Sequence, residues 1–469
     1  MAADDPLQAP DSNRDIAQDH SHSKIQSSAP ANTPAHPRLL CSRFFGPFFL
    51  SQFLGAFNDN LFKNTLILLF VFEAADLAAG QIDQLTNLAA GLFILPFLLF
   101  SALAGQLADR FEKSRLITLL KLAELVLMLT AGYALIQQQI SLLLGLLFLM
   151  ATQSALFSPI KFSIIPQHLP QVLWMPANGL VEAGTFCAIL SGTLVAGVLY
   201  PLRYGTEILA ALLCIQALMG LLISLFIPKT PKNSSHRIGF NLWRQSLSLL
   251  SGVWSNPQLK LLMLLISWFW FLGAAYLTQV PHYAEANLGG GSYSVSWLLF
   301  FFTLGIGAGS VLCNQLKRDK MGRDMILIGL TGLLLAGLDL CWATPAGPLR
   351  NDIGLQALLS LSGLRVTVDF ILIGLFGGLY IVPLFTLFQA HTDEANRAQC
   401  FAANNILNAL LMIASALAGG LLLGLANWSI PQFFALLALL NLVPILMILG
   451  LKPNWIRVSK QRFIGTRKS

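Results

Sequence analysis

The segment GQLADRFEKSR, residues 105–115, lies between two long apolar stretches and combines a glycine, an acidic residue and a basic cluster. Gly105 permits close approach of a neighbouring helix, and Asp109 is suited to pair with a basic group or a helix N-terminus. The basic side chains suit the cytoplasmic surface of a membrane. An ordinary basic loop would explain these arginines and lysines, but not Gly105 and Asp109 at this spacing. We therefore predict a conformational latch, favoured in one state and released in another, formed by Gly105, Asp109, Arg110 and Arg115.

The composition around this segment is that of a membrane protein. The 469-residue chain is 55% hydrophobic and 11% charged, with a mean hydropathy of +0.67, whereas soluble proteins carry about 25% charged residues. Apolar windows long enough to span a bilayer form two sets of six. They cover residues 44–72, 84–105, 115–137, 140–157, 178–200 and 206–227, then 259–280, 293–314, 325–343, 366–390, 399–425 and 429–451. We expect an all-α membrane protein with twelve transmembrane helices.

The predicted organisation follows from the breaks between these windows. It comprises a disordered cytoplasmic tail (1–42), a six-helix half (43–228), a cytoplasmic linker (229–258), a second six-helix half (259–451) and a basic cytoplasmic tail (452–469). Of the 29 lysines and arginines, most fall on the side of the two tails, and the opposite loops hold only Arg203, Arg350 and Arg365. The positive-inside rule then places both termini in the cytoplasm.

A polar island interrupts the first apolar window. It consists of Asn58, Asp59, Asn60, Lys63 and Asn64. A charged side chain at the centre of a spanning helix costs about 2.5 to 3.5 kcal/mol, so such residues usually face a bundle interior or a water-filled path. Asp59 and Lys63, four apart, are expected to neutralise one another in part. The alternative is an internal pair that only holds the first helix against the fourth or fifth.

Several segments carry a family resemblance. Residues 105–115 resemble the G-x-L-a-D-R-x-G-r-R/K loop of the major facilitator superfamily, with Glu112 in place of its second glycine. The chain from about 43 to 452 further resembles the bacterial lysophospholipid transporter family, including transporter halves fused to acyltransferase or acyl-carrier-protein synthetase domains. The segments that carry this likeness are FFGPFFLSQFLGAFNDNLFKN (44–64), SPIKF (158–162), ANGLVEA (177–183), GGLYIVPL (377–384) with Gln389, and the amides Asn404, Asn405 and Asn408.

This resemblance implies two six-helix halves with a substrate site between them near the midplane. It also implies translocation of a lysophospholipid, especially lysophosphatidylethanolamine, across the bacterial inner membrane for reacylation, by alternating access. The implied partners are the lysophospholipid, membrane lipids and a lysophospholipid acyltransferase or acyl-ACP synthetase. Asp59 would meet an ammonium and Lys161 a phosphate, while Phe57 and Phe62 would line the acyl chain. The candidate substrate-binding residues are Asn58, Asp59, Asn60, Lys63, Lys161, Glu182, Asn404 and Asn408.

Some of these charges have structural alternatives. Lys161 lies at a helix end and would also be able to snorkel to the surface. Glu182 lies near the start of a predicted helix, where an acid caps the dipole. Lys121 and Glu124, three apart, are expected to form a structural pair near the cytoplasmic end of the third helix. Asp369, near the outer end of the tenth helix, is expected to be exposed.

Other functions stay open or lack support. The main alternative is another major facilitator porter for a drug or metabolite, coupled to protons through Asp59 or Glu182. A second is a non-transporting membrane subunit that delivers lipid to an acyltransferase. An enzyme is not expected, because the chain has no GxSxG, no HxxxxD acyltransferase pair and no P-loop. The six scattered cysteines predict no metal site, no cofactor is expected, and nucleic-acid binding is unsupported because topology accounts for the positive charge.

Overall fold

The computed structural model describes residues 37–72, 79–230, 239, 241–288, 292–315, 322–345 and 361–450. Nearly all of the predicted N-terminal tail, the whole predicted C-terminal tail and part of the predicted linker lie outside these residues. Within the described residues the secondary structure is entirely helical.

Twelve long helices of the described chain form two sets of six. The first set comprises α1 (Phe45–Phe72), α2 (Ala79–Arg110), α3 (Lys113–Ile136), α4 (Ile140–Ser163), α5 (Trp174–Leu199) and α6 (Gly205–Ser224). The second comprises α7 (Pro257–Leu288), α8 (Ser292–Gln315), α9 (Arg323–Ala343), α10 (Leu361–His391), α11 (Arg397–Gly419) and α12, which is built from Ile430–Leu440 and Leu442–Leu449. Between the sets lies an amphipathic helix, Leu242–Trp254.

Eleven helices in the described part of the chain are long and apolar enough to span a membrane. The helix α1 is not among them, although its 28 residues exceed the length required, because the polar island lowers its mean hydropathy. With α1 included, the described chain has twelve spans, and the polar island lies in the first of them. The expectation of an all-α protein with twelve transmembrane helices is confirmed.

The same packing arrangement occurs in both sets. In each, the first helix packs on the fifth, the second on the fourth and the third on the sixth. The sets meet each other through two equivalent contacts, α2 with α11 and α8 with α5. The molecule is thus built from two six-helix halves of the parallel repeat type.

Small residues bring some of these helices close together. Gly305 and Gly309 of α8 face the backbone of Ile371 and Leu375 of α10, where a Cβ atom would collide. Between membrane helices, such packing supplies attraction that the hydrophobic effect does not. The close contact also leaves α10 more enclosed than the other spans, with 78% of its most apolar window buried inside the protein.

Candidate substrate-binding site

A cavity of about 350 Å³ lies between the two halves. Its wall receives residues from α1 to α5 of the first half and from α7, α10 and α11 of the second. Within the described parts of the chain, the charged residues of this wall all come from the first half, namely Asp59, Lys63, Lys121, Glu124 and Lys161. The second half contributes uncharged side chains: Trp270, Leu277, Phe385, Asn405, Asn408, Ala409 and Met412.

Asp59 and Lys63 of the polar island both lie on the cavity wall. Asp59, 9% exposed, accepts a hydrogen bond of 2.5 Å from the Ser154 hydroxyl of α4. The Lys63 ammonium donates to Asn60 Oδ1 at 3.3 Å and lies 5.1 Å from the centroid of the Phe93 ring. The two charges stay within electrostatic range of each other, but each has its own hydrogen-bond partner.

Lys121 and Glu124 of α3 form an ion pair with a distance of 2.7 Å between Nζ and Oε2. Their side chains are only 2% and 1% exposed. Gln153 of α4 donates to the same Glu124 oxygen at 3.3 Å, and Asn58 of α1 donates to the other oxygen at 3.3 Å. The expected ion pair between these two residues is therefore present, and both residues also line the cavity.

Lys161 of α4 lies on the cavity wall, and Glu182 of α5 lies behind it. The Lys161 ammonium donates to the Thr185 hydroxyl at 2.7 Å and is 3.8 Å from Glu182 Oε1. Lys161 therefore points into the bundle, and the snorkelling alternative was wrong. The capping alternative for Glu182 was also wrong, because α5 begins at Trp174 and Glu182 lies two turns inside the helix.

The three amide residues of α11 differ in whether they reach the cavity. Asn405 and Asn408 line the cavity, whereas Asn404 is buried and donates to Asn408 Oδ1 at 3.3 Å. Ser267 of α7 donates to the same oxygen at 2.6 Å. Asn405 crosses between the halves, donating to the Ser158 hydroxyl at 2.8 Å. Of the eight predicted binding residues, three therefore lie behind the wall: Asn58, Glu182 and Asn404.

The predicted latch segment joins the two halves at one end of the bundle, where α2 ends and α11 begins. We call this the latch end. Asp109, 1% exposed, accepts hydrogen bonds from the backbone N–H groups of Ala398 and Gln399, each at 3.0 Å. These donors belong to the first turn of α11, which lacks intrahelical acceptors and carries the positive end of the helix dipole. Asp109 thus contacts a helix N-terminus across the interface.

The other latch residues have distinct roles in the packing. A Cβ atom on Gly105 would lie 2.7 Å from Ala402 Cβ and 2.8 Å from Gln399 Cα. Only glycine therefore allows α2 to approach α11 this closely. Arg115 pairs with Glu112 of its own half at 2.9 Å, and Arg110 lies 5.6 Å from the ring centroid of Phe111.

Further contacts at the latch end were not predicted from the sequence. Asn178 of α5 and Gln389 of α10 donate to each other's side-chain oxygens, at 2.7 and 3.1 Å. Gln389 also donates to the Phe162 carbonyl at 2.9 Å. The Phe162 ring stacks on Phe385 and Phe401, with centroid distances of 4.2 and 5.2 Å. Both Asn178 and Gln389 occur in segments that carry the family resemblance, but the contact between them was not predicted.

Asp369 of α10 was expected to be exposed, and this was wrong, because it is 2% exposed. The reason is the enclosure of α10, which packs between α8 and α9, so that Asp369 faces protein. Close by, Arg365 of α10 forms an ion pair with Asp339 of α9.

Comparison with known proteins agrees with this arrangement. A model described as Major Facilitator Superfamily matches residues 48–414, well over half of the chain. The chain therefore belongs to the major facilitator superfamily.

Similar curated proteins narrow this class. The lysophospholipid transporter LplT of Photorhabdus laumondii is 26% identical over 359 residues, covering 72% of this chain and 78% of that protein. The lysophospholipid transporter LplT of Escherichia coli O157:H7 is 27% identical over 347 residues, with the same coverage. The resemblance to bacterial lysophospholipid transporters is thereby confirmed.

Solved structures support the fold. The human organic anion transporter MFSD10 superposes with a TM-score of 0.69 at 15% identity, covering 87% of this chain and 99% of that one. The Escherichia coli fucose:proton symporter FucP gives a TM-score of 0.64 at 15% identity, with coverages of 86% and 97%. At these identities the likeness concerns the fold alone.

Proposed function

We propose that this protein is a secondary transporter that moves a lysophospholipid, in particular lysophosphatidylethanolamine, across the bacterial inner membrane. The observation that carries the proposal is the cavity between the halves, where buried charges of both signs share one wall with aromatic and apolar side chains. A lysophospholipid presents a charged head and one acyl chain, so its path requires both kinds of surface. The lysophospholipid transporters among its relatives support the same substrate class.

The cavity provides a complementary group for each part of a phosphoethanolamine head. In our proposal the ammonium lies against Asp59, whose only direct hydrogen-bond donor among the described residues is the neutral Ser154. The phosphate lies against Lys161, with Lys63 as a second cation on the same wall. The acyl chain lies along Phe93, Phe97, Phe157 and Phe186, which line the cavity beside these charges. Phe57 and Phe62, which were expected to line it, are instead buried in the apolar core of the first half.

The contacts at the latch end support alternating access. Asp109, the pair formed by Asn178 and Gln389, and the Phe162 stack join the two halves there. The distribution of lysines and arginines supports a cytoplasmic position for this end. We infer that the structure represents an outward-facing state, which opens to the cytoplasm when these contacts break and the halves rock about the cavity.

The biochemical setting follows from the substrate. A lysophospholipid delivered to the inner leaflet needs one acyl group to become a membrane phospholipid again. A lysophospholipid acyltransferase or an acyl-ACP synthetase is therefore the proposed functional partner. The protein itself is proposed to catalyse no covalent step.

The test is translocation by the purified protein in proteoliposomes. Head-group-labelled lysophosphatidylethanolamine is placed in the outer leaflet, and its loss from that leaflet is followed with and without a proton gradient. We expect translocation well above that of protein-free vesicles, and little movement of the diacyl lipid.

Two other results would contradict the proposal. Proton-driven uptake of a small solute without lysolipid movement would select another major facilitator porter. No translocation, together with tight association with an acyltransferase, would select a lipid-delivery subunit.

A further inference from the structure

The Lys121–Glu124 pair is built into the cavity wall by three helices. Glu124 accepts hydrogen bonds from Lys121, Gln153 and Asn58, which lie on α3, α4 and α1. A carboxylate with three donors and 1% exposure has little remaining capacity to bind a ligand. Its position beside Lys121 is therefore fixed before any substrate arrives.

Two glycines make room for the Lys121 side chain. A Cβ atom on Gly55 of α1 would collide with the Lys121 ammonium. A Cβ atom on Gly220 of α6 would lie 3.5 Å from Lys121 Cδ and 3.7 Å from its Nζ. The lysine thus passes through a slot between α1 and α6 and ends 5.7 Å from the centroid of Phe157, another residue of the cavity wall.

The pair matters for the total charge of the wall. On the wall or directly behind it, the described residues provide three lysines and three carboxylates. They are Lys63, Lys121, Lys161, Asp59, Glu124 and Glu182. Their formal charges sum to zero, and Glu124 is the carboxylate that offsets Lys121.

We propose that Glu124 is a specificity-determining residue, which neutralises Lys121 and so makes the cavity favour zwitterionic head groups over net anionic ones. The proposal rests on the proposed transport of lysophospholipids and names what selects among them. Glu124 acts through Lys121 and through the summed charge of the wall, and does not touch the substrate. Because the effective dielectric constant is lower at a buried site than in water, one uncompensated charge there changes the binding of a second charge strongly.

The sign of the effect separates this role from a structural one. Without the Glu124 charge the wall is net positive, and a head group with net negative charge gains relative to a zwitterion. Without the Lys121 charge the wall is net negative, and the anionic head group loses. Removing both charges restores the balance. Damage to the packing would instead lower the transport of both lipids together.

The experiment compares two labelled lysolipids in proteoliposomes, zwitterionic lysophosphatidylethanolamine and anionic lysophosphatidylglycerol. The readout is the ratio of the anionic to the zwitterionic transport rate. We expect Glu124→Gln to raise this ratio about tenfold and Lys121→Gln to lower it, as expected for one unit charge within the wall. The double variant Lys121→Gln/Glu124→Gln should return it to within about twofold of the wild-type value, because its net charge is again zero.

Several outcomes would overturn the proposal. An unchanged ratio in both single variants would remove the role of Glu124 while leaving lysolipid transport intact. A ratio that shifts in the same direction in both variants would do the same. If the wild-type protein moves neither lysolipid, the proposed function itself fails. Should Glu124→Gln not fold, the Lys121→Gln variant and the double variant still test the sign, since they differ by one charge.

Discussion

The two halves of this molecule share one arrangement of helices but differ in the chemistry of the wall that each presents to the cavity. In both, the first helix packs on the fifth, the second on the fourth and the third on the sixth. Among the described residues, however, only those of the first half contribute charges to the wall. The repeat therefore explains the fold, whereas the charges that we propose to recognise a lysophospholipid head group lie in one copy.

The polar networks show how the first half holds these charges. Asp59, Ser154, Gln153 and Glu124 form a continuous chain of hydrogen bonds across α1, α4 and α3. Within one half such a chain can persist while the halves move. The second half contributes neutral amides and rings, and it meets the charged half through contacts that the proposed opening motion would break.

Locking the two halves together is expected to have the largest effect. We predict that Asn178→Cys with Gln389→Cys, in a background without the six native cysteines, loses transport completely once a short thiol cross-linker joins the pair. The reason is that these side chains contact each other across the interface, which opens in each cycle of the proposed alternating access. Lysolipid transport in proteoliposomes is measured before cross-linking, after it and after reduction.

The matched control carries only Asn178→Cys and receives the same reagents. Transport that continues in the fully cross-linked pair would show that the halves need not separate at the latch end.

The second largest effect on transport is expected from removing a charge of the first half. Lys161→Gln is expected to lower the transport efficiency for lysophosphatidylethanolamine about 30-fold, because losing one partner of a buried charge pair costs about 2 kcal/mol or more. Lys260→Gln is the control, since Lys260 lies outside the cavity, 4.7 Å from the Trp254 ring. Equal transport by both variants would argue against a phosphate site at Lys161.

A smaller shift is expected at the latch. Asp109→Asn weakens charged hydrogen bonds to the first turn of α11, each worth about 1.5 to 3 kcal/mol. The population with a closed latch end should fall roughly tenfold relative to the open one. Distances between spin labels at the exposed positions Leu225 and Glu394 report this equilibrium. Asp393→Asn removes a neighbouring exposed carboxylate as the control, and an identical distance distribution in all three proteins would contradict the latch.

The smallest effect on transport is expected for a substitution in the uncharged part of the cavity wall, which the second half contributes. Asn408→Ala removes hydrogen bonds to Ser267 and Asn404, and bonds of this kind in membranes average about 0.6 kcal/mol. The two bonds together amount to about 1.2 kcal/mol, so transport efficiency should fall about eightfold. Ser429→Ala, which alters the N-cap of the segment Ile430–Leu440 outside the cavity lining, serves as the control. A loss as large as that of Lys161→Gln would remove the contrast between the halves.

The sequence predicts the twelve spans and the unusual character of α1, because hydropathy depends on residues that are close in the chain. It also predicts that Asp109 suits a helix N-terminus. The glycine and the acidic residue lie four positions apart in one short loop, so they can be recognised from the local sequence. The hydrogen-bond partners of the buried charges cannot be predicted from the local sequence in this way. Ser154 lies 95 positions from Asp59, and a serine in an apolar run carries no sign of its partner.

The sequence also does not predict how each helix is rotated about its own axis. Asn404 and Asn405 are adjacent, yet one is buried behind the wall and the other lines the cavity. Which one faces the cavity depends on how α11 packs against α2 and α7. The same holds for Lys121 and Glu124, whose place on the wall depends on the slot left by two glycines on other helices.

The most direct test of the contrast between the halves is head-group-labelled lysophosphatidylethanolamine transport by Asp59→Asn in proteoliposomes. This change keeps the size of the side chain and its contact with Ser154 but removes the carboxylate charge. We predict that the variant folds, inserts normally and loses nearly all transport, because the head-group ammonium then lacks its counter-charge. Transport at the wild-type rate by a normally inserted Asp59→Asn protein would contradict the account.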